Sequence, residues 1–102
     1  MKTLGTHNYY VYILTNATKN VLYTGMTNSV ENRIAQHTAD ANGAKKTFAG
    51  KYNYIYILYL ERFQYVNDAI ARETEIKEWD RQKKEQLITS VNPQWEFLNH
   101  TV

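Results

Sequence analysis

Two β-rich runs, Tyr9 to Leu14 and Val21 to Met26, flank a stretch of turn-forming residues, Asn16 to Asn20. Aromatic and β-branched side chains suit a pleated, half-buried surface, and so short a polar break leaves each run no nearer partner than the other. The chain is therefore expected to start as an antiparallel hairpin on which all later elements pack. Cross-strand neighbours in a hairpin share a face at about 5 Å. Tyr12 and Tyr23 are placed to do so, and Gly25 lets a backbone or a ligand come close.

Beyond the hairpin, the spacing predicts strand, strand, helix, strand, helix, helix. Asn28 is expected to cap the first helix, with Glu31 at the capping-box position and Val30, Ile34 and Ala41 on one apolar stripe. From Thr38 to Asn53 the pattern fades into a loop with Gly43, Gly50 and three lysines. Tyr54 to Leu60 alternates as a buried strand should, Asn67 is expected to cap a helix to about Trp79, and Asp80 one through Ile88. The tail from Asn92 carries Trp95, Phe97 and Leu98 and should pack back on the body, since leaving these side chains in water is unfavourable.

With 102 residues there is room for one domain, 1–102, with residues 1–8 expected to be flexible and 92–102 to form the returning tail. The chain has no cysteine, which removes disulfides, thiolate metal sites and cysteine nucleophiles together. That suits a reducing cytoplasm, and Met1 to Tyr9 has neither the charge nor the apolar core of a signal peptide. No segment approaches the ~18 apolar residues of a membrane span. The formal charge of +2 is unevenly spread: residues 1–51 hold six bases against two acids, giving +4, and the remainder six against eight, giving −2. A polyanion would meet the first half.

The residues that could carry chemistry have ordinary readings as well. Of nine tyrosines, Tyr10, Tyr12, Tyr52, Tyr54, Tyr56 and Tyr59 fall in strands, where such rings usually just pack, yet two phenols sharing a face beside a phosphate can orient and deprotonate a water when a cation lowers their pKa. Arg33 and His37 lie four apart on one helix face. They form either a solvated pair or a phosphate fork with a proton relay. Glu73 falls inside the apolar stripe Ala69, Ile76 and Trp79, so its carboxylate needs a cation, either a basic side chain or a metal. One well-placed acid suits Mg²⁺ or Mn²⁺, which keep waters and accept phosphate oxygens. Lys45, Lys46 and Lys51 make the loop after the first helix either a solvated connection or a phosphate clamp.

Taken in order, Tyr10-Val11-Tyr12-Ile13-Leu14, Leu22-Tyr23-Thr24-Gly25-Met26-Thr27-Asn28, Arg33, His37, Gly43-Ala44-Lys45, Ala69, Glu73, Ile76, Lys77 and Asn92-Pro93 with Trp95 resemble the GIY-YIG nuclease superfamily, above all its small single-domain bacterial members. The resemblance implies an α+β fold in which a three-stranded antiparallel sheet is flanked by about three helices. It implies hydrolysis of DNA phosphodiesters with one divalent ion. Tyr12 and Tyr23 match the signature tyrosines, Gly25 the signature glycine, Arg33 the catalytic arginine and Glu73 the metal-binding glutamate. His37 matches a histidine proposed to assist proton transfer, and Asn92 a late supporting asparagine. The departures are Tyr10 where the motif has glycine, Thr24 where it has isoleucine, and Phe97 where close relatives often carry an acid.

The resemblance thus implies an endonuclease acting in repair or recombination, and leaves open a nonspecific nicking enzyme, a homodimer that cuts both strands, or a subunit whose partner protein supplies specificity. Two other classes stay open. A nucleic-acid-binding module that lost turnover would bind DNA without cutting it, and a tyrosine-rich domain for a protein partner would take neither DNA nor metal.

Overall fold

The structure is a computed structural model that describes residues 8–42 and 56–101, with the side chains of 37–42 and 101 outside the description. Strands β1 (Tyr9–Thr15), β2 (Leu22–Thr27) and β3 (Tyr56–Phe63) form one sheet in the order β2-β1-β3. Both pairings are antiparallel. Helix α1 (Val30–Asn42) follows the hairpin, α2 (Val66–Lys77) and α3 (Arg81–Val91) follow β3, and a 3-10 turn (Asn99–Thr101) closes the tail. This is the α+β arrangement and element order that the sequence predicts.

Alternation along β1 divides the core in two. Tyr12 and Leu14 pack with Val30 of α1 and Ile57 of β3 on one face, with Ile34 against them. Val11 and Ile13 pack on the other face with Ala69 and Ile76 of α2 and Ile88 of α3. The register along β3 shifts between Ile13 and Leu14: Ile13 pairs with Tyr59 and Leu14 with Ile57, leaving Leu58 as the extra residue of a bulge. Leu58 and Tyr59 consequently enter the same cluster although they are neighbours in sequence. A bulge leaves backbone groups unpaired, and here the Asn92 amide donates to the Leu58 carbonyl at 3.0 Å.

The tail runs back along β3. The Leu98 amide donates to the Ile57 carbonyl at 2.8 Å, the Ile57 amide to Asn99 Oδ1 at 2.9 Å, and Phe97 stacks on Tyr56 with ring centroids 4.2 Å apart. These contacts occupy the outer edge of β3, which would otherwise expose open backbone groups.

Several boundaries differ from the sequence reading. Helix α1 is capped by Ser29, whose carbonyl receives the Arg33 amide at 3.1 Å, so Asn28 lies outside the helix and Glu31 loses the capping-box position. Asn67 lies inside α2, whose cap residue is Tyr65 with no side-chain cap bond. The cap position lies two residues before Asn67, so the Asn67 side chain is past the position from which it could cap the helix. Helix α1 continues through Asn42 rather than fading at Thr38, β3 continues to Phe63 rather than Leu60, and α3 reaches Val91 rather than Ile88. Asp80 does cap α3, accepting the Lys83 amide at 2.9 Å. Tyr54, expected to open the third strand, lies outside the described residues.

Candidate active site

Tyr12 and Tyr23 come together through hairpin register. Tyr23 pairs with Leu14 and Gly25 with Tyr12, so the two tyrosines are diagonal neighbours on one face, their ring centroids 6.5 Å apart and their planes at 41°. Gly25 makes this possible in a way the sequence did not reveal. A Cβ at position 25 would lie 2.5 Å from the Tyr12 hydroxyl and 2.6 Å from Cζ. The close approach that this glycine permits is therefore that of the phenol itself.

Arg33 reaches the same place from α1. With Tyr12, Leu14, Val30, Ile34 and Ile57 it lines an apolar gap of about 150 Å³ with no room for a water. Its Nε is buried without a hydrogen-bond partner. An unmatched donor of this kind costs about 1–3 kcal/mol. Glu73 approaches from α2, the helix on the opposite face. Its side chain is 19% exposed and its Oε2 lies 3.3 Å from Lys77 Nζ. Lys77 is 52% exposed, so this pair is worth little and a dication could displace it.

These groups meet electrostatically at Tyr12. Burial pushes the Tyr12 phenol up to about 12, Arg33 pulls it down, and Tyr23 and Glu73 push it further up. One hydroxyl thus feels a residue from each strand and helix that the sequence singled out, although Arg33 and Glu73 lie on opposite sides of the sheet.

The other candidates are placed differently. His37 lies on α1 four residues beyond Arg33, with its side chain outside the described residues, as are Lys45, Lys46 and Lys51 altogether. Asn92 is 6% exposed. Besides Leu58, its amide donates to the Glu96 carbonyl at 2.9 Å and its Oδ1 accepts the Glu96 amide at 3.0 Å. These partners belong to β3 and the tail, and its backbone amide donates to the Ile88 carbonyl of α3 at 2.7 Å.

The chemistry of the donor set fits one hard divalent ion. Glu73 offers a single carboxylate at the edge of water. Among the described residues no three or more His, Cys, Asp or Glu side chains cluster. Waters and phosphate oxygens would complete the shell, as Mg²⁺ and Mn²⁺ readily accept.

Sequence reading missed a second polar group beside this site. Tyr59 donates to Glu61 Oε1 at 2.5 Å, Arg72 Nε donates to the same oxygen at 3.0 Å, and Arg72 Nη1 donates to Glu75 at 2.8 Å. The Arg72 guanidinium also lies over the Trp79 ring at 5.4 Å. Ending the third strand at Leu60 had hidden it, because Glu61 then fell outside the alternation that places it on the face of Tyr59.

This hairpin, with an arginine delivered from one face and a glutamate from the other, defines a class. Residues 8–86 match the GIY-YIG catalytic domain, and the chain belongs to that family of nuclease domains. It is 43% identical to a UPF0213 protein of Natronomonas pharaonis over 79% of this chain and 91% of that one. It is 42% identical to a UPF0213 protein of Staphylococcus haemolyticus over 78% and 93%. A solution NMR structure of a UPF0213 protein from Bacillus halodurans superposes with a TM-score of 0.55 at 36% identity, covering 87% of this chain and 90% of that one.

Proposed function

We propose that this protein is a metal-dependent endonuclease that hydrolyses DNA phosphodiester bonds. The observation that carries the reading is the grouping of Tyr12, Tyr23 and Arg33 on one face of the hairpin, the two rings 6.5 Å apart and Arg33 lining the same gap as Tyr12. Packing alone gives no reason to bring a cation and a second phenol beside one buried phenol.

In this reading the partly exposed guanidinium of Arg33 binds the scissile phosphate. It then steadies the charge that grows on the equatorial oxygens. Glu73 holds one hydrated Mg²⁺ or Mn²⁺, which when bound supplies Lewis-acid neutralisation of the phosphate. The oxygen of a water bonds to phosphorus as the bond from phosphorus to the 3′ oxygen breaks.

The two phenols divide the handling of that water. Tyr12 is 3% exposed and its phenol is pushed up to about 12, so near neutral pH it stays protonated and serves as a fixed hydrogen-bonding group. Tyr23 is only partly buried and is the phenol that meets the attacking water, with His37 carrying the proton onward.

A gel assay of nicked, branched and single-stranded DNA with Mg²⁺, Mn²⁺ or chelator tests the proposal. Cleavage should require the metal and vanish in Glu73→Ala, with folding nearly intact. DNA binding without scission under every condition would instead support a silent binding module of the same fold.

A further inference from the structure

Little of α2 is fully buried. Ala69 and Ile76 are the only buried residues of α2. Val66 and Ile70, on the flank of the helix that also carries Glu73, are 39% and 46% exposed. Two buried side chains, one of them alanine, make a narrow hinge line about which a twelve-residue helix can roll. Each residue advances about 100° around the helix axis, so a modest roll would swing Glu73 away from the edge of the sheet.

What opposes that roll lies on the other flank, at the residue preceding Glu73. Arg72 is tied to β3 through Glu61 at 3.0 Å and to its own helix through Glu75 at 2.8 Å. Glu61 is in turn fixed by the Tyr59 hydroxyl at 2.5 Å. The guanidinium is also stacked over Trp79, whose other cationic neighbour is Lys83 of α3 at 4.6 Å. A planar fork with two carboxylates and an aromatic ring fixes both the position and the orientation of its stem, which a lysine could not do. Arg72 is 24% and Glu61 35% exposed, so the charges attract through partly excluded water.

From this geometry we infer that Arg72, clamped by Glu61, Tyr59 and Glu75, is the positioning residue for Glu73. It sets the roll of α2 that presents the carboxylate to a divalent ion. The inference rests on Glu73 being the metal ligand, and it assigns a task to side chains that otherwise take no part in the proposed chemistry. Groups that orient a metal ligand typically change metal affinity by 10–100-fold when removed.

The test uses the full chain and Mn²⁺ alone, with no nucleic acid, reading paramagnetic broadening of the Glu73 resonances by NMR. Arg72→Gln and Glu61→Gln should each weaken Mn²⁺ binding by roughly 10-fold. Arg81→Gln is the control, since on the next helix, outside α2, it breaks a comparable ion pair, 2.7 Å to Glu85, and the bonds to the Asn20 and Lys19 carbonyls. It should lower thermal stability to a similar degree and leave Mn²⁺ affinity unchanged. Wild-type affinity in Arg72→Gln, or an equal loss in Arg81→Gln, would overturn the assignment. A second readout, the Glu73 side-chain couplings without metal, separates this inference from the proposed function. If the wild type shows no Mn²⁺ effect at Glu73, the metal reading fails, and the couplings alone decide the clamp. Altered couplings in Arg72→Gln support it and unchanged ones sink it.

Discussion

Tyr12 and Gly25 are cross-strand partners, and the Tyr12 phenol occupies the volume that any side chain at position 25 would need. An alanine there would place its Cβ 2.5 Å from the hydroxyl and 2.6 Å from Cζ, and neither the backbone of β2 nor a ring buried to 3% exposure gives way cheaply. Gly25→Ala should therefore cost about 1–3 kcal/mol of stability and reduce cleavage by at least about 10²-fold, because a small misplacement of a reactive group has that effect. Tyr12→Phe should not relieve the strain, since the ring carbons clash as well; Tyr12→Ala should. A double-mutant cycle with Tyr12→Ala measures it. Additive stabilities would mean that the two residues do not compete for space.

Two phenols carry a signature at alkaline pH. Burial pushes both Tyr12 and Tyr59 up to about 12 from the ordinary value near 10. For Tyr59 the hydrogen bond to Glu61 adds to the rise, while Arg72 opposes it. A phenol whose pKa is higher folded than unfolded holds its proton more firmly in the native state. Its contribution is complete below about pH 10 and is lost between about 10 and 12. Stability should thus fall by on the order of 2 kcal/mol per phenol across that window. Denaturant midpoints should show the fall, and ultraviolet titration should show two tyrosines ionising late. Replacing Tyr12 by Phe should remove one late step, and an unchanged titration curve would refute the assignment.

Thr24 illustrates how a departure from a motif leaves a physical trace. It stands where the family motif has isoleucine, is 4% exposed, and its hydroxyl has no hydrogen-bond partner. Thr24→Val keeps the shape and removes the orphaned group, so it should stabilise the protein by about 1 kcal/mol. For a chain of this size that is a rise of roughly 4–8 °C in Tm. Calorimetry would detect it, and a loss of stability would reveal a partner for the hydroxyl.

How much of this was legible in the sequence depended on whether a feature was periodic or conformational. The hairpin, the sharing of a face by Tyr12 and Tyr23, and the inward lean of Glu73 follow from strand and helix periods, which the residues display directly. The helix starts did not, because Asn28, Asn67 and Ser29 are all competent polar caps and the choice among them depends on how the preceding strand arrives. The extension of β3 was hidden because Glu61 and Arg62 read as a polar end to the strand. Their solvation is in fact replaced, by Arg72 for Glu61 and by Asn8 for Arg62. The bulge at Leu58 was beyond reach. No residue near it marks an extra position, and the group that compensates it, Asn92, lies 34 residues later.

That distant compensation gives the last prediction. Asn92 spends both its donors and its acceptor on backbone groups, the carbonyls of Leu58 and Glu96 and the amide of Glu96. Asn92→Ala would leave the bulge carbonyl without its side-chain donor in a place that is 6% exposed, and would release the tail that edges β3. Each unmatched buried group costs about 1–3 kcal/mol, and water reaching the loosened tail would recover part of that, so a net loss of about 2–4 kcal/mol is expected. Asn92→Asp should be nearly as damaging, because a carboxylate accepts from Glu96 but cannot donate to either carbonyl. Hydrogen exchange distinguishes this from a general loss of stability. The Leu98 amide, bonded to Ile57 at 2.8 Å, should lose protection by more than the global change, while the β1 amides between Tyr12 and Leu14 follow the global change only. Uniform loss along all three strands would mean that Asn92 holds the whole sheet together rather than the tail and the bulge.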